Sequence, residues 1–335
     1  MNKPKVSVCV AYYNRSDRIL ESIGSLLAQD YDDFEVVVVN DGSPDPLVKE
    51  YLDAFDDPRL SVIHQNNTGF VGAMHRAIGS STGKYIAIHG AGDISLPERL
   101  TKQAHFLDTN QDYCLVSSHY SDFVVDEDGQ DALQRSEFKI ATGEVVADDL
   151  TYGPSPIGHG EIMYRRSAYD AAGGYRPFFK FAQDKDLWLR MIHFGRFYIL
   201  PENLYDRGLF LKDGVAVNHE KLYLQKLLMA FAVQCYEYKL ENGFDLIDKF
   251  GNNAGFFKKK SKKVAVFCRI TALRAMIADD IVKANRFIDL SLQEKVLPKT
   301  LLIYLLIWFC QNSTVKKIIL KVLKSLKRVK ATFKR

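Results

Sequence analysis

Between Val6 and Val116, short runs of β-branched and aromatic residues alternate with stretches whose apolar residues recur at helical spacing. That alternation is the mark of successive βαβ units and a parallel sheet, and it excludes an all-helical or all-strand chain. Strands are expected at residues 6–11, 34–39, 60–64, 84–89 and 113–117. After the first, Ile19, Leu20, Ile23, Leu26 and Leu27 fall on one face of a helix that Ser16 is placed to cap. Further helices are expected over 70–79 and from Leu96, with Pro97 in the first turn, through Leu107.

The pattern then changes. Residues 122–152 are polar with Gly and Asp, which suits a β excursion and loops. A strand at 159–164, a short helix at 167–172 stopped by Gly173 and Gly174, and an amphipathic helix at 184–194 follow. Beyond Pro201 strand signals nearly vanish, and 221–240, 264–282 and 300–330 read as helices. The composition shifts near Asn218, so an α/β domain at 1–217 and a helical region at 218–335 are expected. A chain of 335 residues, 47% hydrophobic and 26% charged, has enough apolar material for both.

Five cysteines lie far apart, an odd number with no CxxC pair. This argues against a disulfide framework or zinc cluster and suits a reduced cytosol. The first strand begins too close to Met1 for a signal peptide, and the longest near-apolar run, 301–310, is too short to span a bilayer.

In an open parallel sheet, ligands bind beyond the carboxyl ends of the strands, so the residues directly after each strand hold the chemistry. Here they are Asn14 and Arg15, Asp41-Gly42-Ser43, Asn66 to Gly69, and Gly90 to Asp93. Asp41 suits either hydrogen bonds to a nucleobase or ribose, or an Asx turn. Asp93 suits either a Mg²⁺ or Mn²⁺ held against a diphosphate, or a helix cap. Asp184 suits either a general base or a helix cap, and Asp186 is spaced to pair with Arg190. No GxGxxG or P-loop follows the first strand, which sets aside dinucleotide oxidoreductases and P-loop NTPases.

Taken in order, residues 6–15, 25–31, 36–43, 67–69, 83–87, 93–103 and 183–190 resemble the inverting family 2 glycosyltransferases of the GT-A fold, over roughly residues 5–214. The resemblance implies a mostly parallel central sheet flanked by helices, with a helical C-terminal extension. It implies a nucleotide-sugar donor held by Ala11, Tyr13, Asn14, Asp41, Asn67, Gly69, Gly92 and Asp93. Asp41 would contact the base, Asp93 would hold a Mg²⁺ or Mn²⁺ ion, and Asp184 would be the catalytic base. His159, Gly160 and Trp188 would lie near the acceptor or sugar.

Three departures stand out. Family members usually show Asp-Ala-Asp-Asp where this chain has Gly90-Ala91-Gly92-Asp93. Their Glu-Asp pair appears as Gln183-Asp184, and the histidine that often follows the Leu204-Tyr205 position is missing. The first departure keeps open a rival reading, a nucleotide-sugar-binding protein without transferase activity. The tail from Thr300 mixes large apolar residues with lysines and no carboxylate. That suits a helix lying on an anionic membrane surface, with Val315, Ile318, Ile319, Val322, Leu323 and Leu326 as its stripe. A glycan or lipid-linked acceptor at the cytoplasmic face of the cell membrane, in surface polysaccharide assembly, is then expected. No nucleic-acid partner is expected, because the lysines of 258–263 have no interleaved aromatics.

Overall fold

The computed structural model describes residues 4–126, 131–138, 141–152, 155–211 and 218–310, together with 315, 317, 319 and 321. The chain divides into two compact units, Met1–Val217 and Asn218–Arg335.

The first unit opens with β1 (Val6–Tyr12), α1 (Ile19–Leu27), β2 (Phe34–Asp41), α2 (Pro46–Asp53), β3 (Leu60–Gln65), α3 (Gly69–Gly79) and β4 (Tyr85–Gly90). These strands pair in parallel in the order β3-β2-β1-β4. The order reverses at β1, and it is in the crevice beyond such a switch point that open parallel sheets bind ligands. The register brings Ala11 opposite both Val39 and Gly90. Val6, Val8 and Val10 of β1 pack with Ile19, Ile23 and Leu26 of α1 and with Val36 and Val38 of β2. Cys9, Val37 and Val39, on the alternate positions, are buried too. Burial on both faces explains why these strands read as unbroken apolar runs.

Next come β5 (Ile94–Ser95), α4 (Arg99–Thr109), β6 (Tyr113–Val125), β7 (Asp131–Phe138), β8 (Gly143–Val145) and α5 (Ala147–Thr151). The unit ends with β9 (Met163–Arg165), α6 (Arg166–Ala171), α7 (Gln183–Met191) and β10 (Arg196–Phe210). β9 runs antiparallel between β4 and β6, while β10 lies parallel to β6.

Several expectations are corrected here. Ser16 caps nothing: α1 starts without a side-chain cap, and the Ser16 hydroxyl donates to Asp45 instead. The sequence reading places no helix between the second and third strands, yet Asp45 caps α2 with Pro46 in its first turn. The strand expected at 159–164 is confined to β9, and α4 begins two residues past Pro97. β10 extends well past Pro201, where no strand was expected. Its pairing with β6 skips register between Leu200 and Asn203 and again before Tyr205, which accommodates the proline.

The second unit is helical: α8 (His219–Asn242), α9 (Leu246–Phe250), α10 (Lys262–Ile277), α11 (Ile281–Glu294) and α12 (Pro298–Phe309). Val264, Cys268, Ala272 and Met276 form the α10 stripe, which meets Ala284, Phe287 and Ile288 of α11 and Ile303 and Ile307 of α12. The single helix expected over 264–282 breaks at Asp279, whose φ is +68°, and Asp280 caps the next one. Of the helix expected over 300–330, α12 accounts for the first part. Val315, Lys317, Ile319 and Lys321 are helical, and the rest of the tail stripe lies outside the described residues.

Candidate active site

The crevice is floored by the ends of β1, β2 and β4. Asn14 and Arg15, directly after β1, both take left-handed backbone with φ near +60°, a conformation that costs L-residues energy. The Asn14 amide donates to Ser43 Oγ at 2.9 Å, and Arg15 Nη1 donates to the Ala91 carbonyl at 2.6 Å. One loop thereby ties the second and fourth strand ends together. Tyr13 stands exposed beside it.

Asp41 is buried at the end of β2. Its Oδ1 accepts from Gln65 Nε2, the Thr68 amide and Thr68 Oγ1, and its Oδ2 accepts from the Gly69 amide at 2.9 Å. Asn67 Nδ2 donates to the Asp41 carbonyl. Asp41 therefore fixes the start of α3, with Gly69 at φ +78°. Each carboxylate oxygen offers about two acceptor positions, and Oδ2, with the single Gly69 bond, is the less occupied of the two.

Asp93 is 7% exposed. Its Oδ1 accepts from the Gly208 amide at 2.8 Å, and its Oδ2 accepts from the Tyr205 hydroxyl at 2.7 Å. The Gly90 amide donates in turn to that hydroxyl oxygen. Burial pushes the Asp93 carboxyl above the usual carboxylate range, against the two donors and the charges of Arg15 and Arg207. The Tyr205 phenol is driven up by burial and by Asp93, which keeps it a donor.

Asp184 lies in the first turn of α7. The helix is entered through Ala182 at φ +58°, and no side chain caps it. Asp184 Oδ1 accepts from the Lys185 amide, and its charge is felt by His159 and Tyr175. His159 Nε2 sits 2.6 Å from the Tyr175 hydroxyl, and its ring lies 5.1 Å from Phe70 and 5.8 Å from Trp188. Burial lowers the His159 pKa, opposed by Asp184. Trp188 is fully buried, so it supports His159 from behind and presents no surface to a sugar. Gly160 is where the Tyr205 ring approaches: a Cβ there would come within 2.4 Å of its hydroxyl.

A continuous path joins these groups. Asp41 holds Gly69, the next residue Phe70 packs on His159, and the His159 ring meets Trp188, about one turn along α7 from Asp184. Gly160 touches Tyr205, which bonds Asp93. Beneath runs Arg99, which sequence reasoning missed. It is fully buried, donates to the carbonyls of Ile88, Gly160 and Ile162, and lies 4.8 Å from the Tyr205 ring. Its only sequence signal is a charge in the helix after Pro97, which reads as an exposed face.

The donor set does not fit the divalent cation that the resemblance implies. Asp93 is a single carboxylate where the resemblance expects three, Gly90 and Gly92 standing at the other two positions, and each of its oxygens already accepts a protein hydrogen bond. Among the described residues no three His, Cys, Asp or Glu side chains gather as a metal site.

The sequence profile of glycosyl transferase family 2 matches residues 7–173. The chain is 33% identical over 212 residues to the glycosyltransferase EpsE of Bacillus subtilis, covering 60% of this chain and 72% of EpsE. It is 31% identical over 236 residues to a glycosyltransferase of Methanocaldococcus jannaschii, covering 67% and 78% of the two chains. Among solved structures, S. aureus TarS 1–349 with UDP-GlcNAc is similar at a TM-score of 0.56 and 18% identity, covering 84% of this chain and 90% of that one. The UDP complex gives 0.53 and 20%, covering 85% and 83%. At such identities the likeness is one of fold, the GT-A arrangement of a central sheet flanked by helices.

Proposed function

Because this chain belongs to glycosyl transferase family 2, we propose that it transfers a sugar from a nucleoside diphosphate donor to a hydroxyl of a glycan or lipid-linked acceptor, with inversion, in surface polysaccharide assembly. The observation that carries this reading is the path of contacts linking Asp41, the helix that bears Asp184, and Asp93 around the strand ends. The UDP and UDP-GlcNAc complexes of TarS support a nucleotide-sugar donor.

In this mechanism Ala11, Tyr13, Asn14, Asp41, Asn67, Gly69 and Gly92 line the donor side. The acceptor hydroxyl approaches from the side of His159 and Asp184. The Asp184 carboxylate accepts its proton as the oxygen bonds to the anomeric carbon, and the bond from that carbon to the diphosphate breaks on the opposite face. His159, kept neutral by burial and tied to Tyr175, positions the acceptor side without carrying charge of its own.

Asp184→Asn should lower transfer by about a thousandfold. Donor affinity, measured by calorimetry, should stay within about twofold, since the carboxamide keeps the shape of the side chain. Turnover close to that of the native enzyme would remove Asp184 as the base.

We further infer that the protein works at the inner face of the cell membrane, held through α12 and the basic tail. Among the described residues no helix is long and apolar enough to cross a membrane. The support is the apolar face of α12, where Leu301, Leu302, Leu305, Trp308 and Phe309 are exposed.

A further inference from the structure

We propose that the Arg15 guanidinium, rather than a divalent cation, neutralises the departing diphosphate in this chain. The proposal rests on the transferase reading above and deepens it. Independent observations at the Gly90–Asp93 turn lead to it.

The first concerns the positions where family members carry further carboxylates. A Cβ on Gly90 would come within 2.2 Å of Asp93 Oδ2. Asp93 cannot swing aside cheaply, because it is buried and bonded to Tyr205 and Gly208. Gly92 has φ +84°, and a Cβ there would lie 2.7 Å from the Phe210 ring. The turn is closed sterically to acidic side chains at both positions, so the departure from the family pattern is built into the packing.

The second concerns the charge that stands there instead. Arg15 stacks 3.7 Å from the centroid of Phe210, the same ring that closes position 92, and its Nη1 holds the Ala91 carbonyl between the two glycines. The Arg18 side chain starts nearby, its Cβ 3.4 Å from where a Gly92 Cβ would stand, while its guanidinium pairs with Glu21. Both arginines come from the segment after β1, whose neighbours Ala11, Tyr13 and Asn14 line the donor side in the proposed mechanism.

The third is backbone strain. Asn14 and Arg15 are consecutive non-glycine residues held in left-handed conformation. Such strain persists only where the surroundings over-determine it. Here the Asn14–Ser43 and Arg15–Ala91 bonds do so, and the result is a guanidinium fixed at the turn.

Guanidinium suits the task, because its planar fork matches phosphate oxygens and its charge does not titrate. As the acceptor oxygen bonds to the anomeric carbon and its proton passes to Asp184, the bond from that carbon to the β-phosphate oxygen breaks. Its electron pair goes to that oxygen, and the new negative charge is met by Arg15.

The test is calorimetric binding of UDP, GDP, CDP and dTDP to the whole protein in EDTA and in Mn²⁺, with transfer assayed in the same buffers. The nucleoside diphosphate that binds should do so equally, within about twofold, in both buffers. Arg15→Gln should weaken it by about tenfold or more and Arg15→Lys by less, with no rescue by Mn²⁺. Unchanged melting of the unliganded variants shows that they fold. Binding or transfer that needs Mn²⁺, or full affinity in Arg15→Gln, overturns the proposal. If none of these diphosphates binds in either buffer, the transferase reading itself fails.

Discussion

His89, the last side chain before the Gly90 turn, shows how one buried group sets a pH limit on the fold. It is 1% exposed, and its Nε2 lies 3.0 Å from Ser22 Oγ. Burial, reinforced by the charge of Arg99, depresses its pKa from 6.5 to about 3. The sign follows directly. Above the unfolded value both states are neutral and stability is full. As pH falls through 6.5 toward about 3, only the unfolded chain takes up the proton, so stability is lost. The slope is about 1.4 kcal/mol per pH unit at most. In thermal melts between pH 6.5 and pH 4, His89→Gln should therefore lose Tm less steeply than the native chain; parallel slopes would show that the imidazole charges without unfolding. Legibility differs sharply among residues of this kind. Asp41 and Asp93 were legible as candidates because topology puts the residues after parallel strands where ligands bind, and Asp184 because it stands at a helix start. What they bond to was not. Nothing in the sequence pairs Asp93 with Tyr205, 112 residues away, or shows that Arg99 is buried, since a lone charge between apolar residues reads as solvent-facing.

The element that presents Asp184 depends on a buried ion cluster. Asp186, at 1% exposure, receives Arg190 from its own helix at 2.7 Å and Arg176 from the preceding loop. Arg190 also donates to the Gly174 carbonyl at 2.7 Å, so the cluster pins α7 to the loop after α6. Asp186→Ala leaves two guanidinium groups buried beside each other and should cost about 3–5 kcal/mol. Urea unfolding measures this, and a loss below about 1 kcal/mol would mean that the backbone carbonyls alone satisfy the arginines. The i, i+4 pair of Asp186 and Arg190 was legible from spacing, whereas Arg176 was not, because loop geometry brought it there. The same contrast runs through the other elements. β1, β2 and β4 were legible, since strands covered on both faces leave continuous apolar runs. β10 was not, because Pro201 and the polar residues around it conceal a strand that is held by β6 through skipped register. The break between α10 and α11 sits at Asp279-Asp280, where a left-handed residue and a cap interrupt an otherwise unbroken helical pattern.

At the scale of the whole molecule, the two units solve different burial problems. The first covers its sheet with helices on both faces. The second buries α12 only along Thr300, Ile303 and Ile307, which leaves Leu302 at 59%, Leu305 at 50% and Trp308 at 54% exposure on the other side. Large apolar residues exposed in one patch need a partner. The sequence around them narrows what that partner is. No acidic residue follows Glu294, while lysines recur from Lys316 to the end of the chain. An apolar face followed in sequence by a lysine-rich stretch without acidic residues suits a surface with hydrocarbon beneath negative headgroups. An aqueous protein partner would have to supply both an apolar groove and a dense acidic rim. The full chain should therefore sediment with vesicles containing phosphatidylglycerol and much less with pure phosphatidylcholine, and added salt should weaken the binding because the lysines contribute screened charge. Replacing Leu302 and Trp308 together by Glu inserts charge into the apolar face without touching the seam that packs on α11. Vesicle binding should then fall by about tenfold or more while the helical circular dichroism signal is retained. If the doubly substituted chain still sediments with anionic vesicles as the native one does, α12 is not the contacting face. If removal of residues 300–335 also leaves sedimentation unchanged, the membrane assignment is wrong for the second unit as a whole.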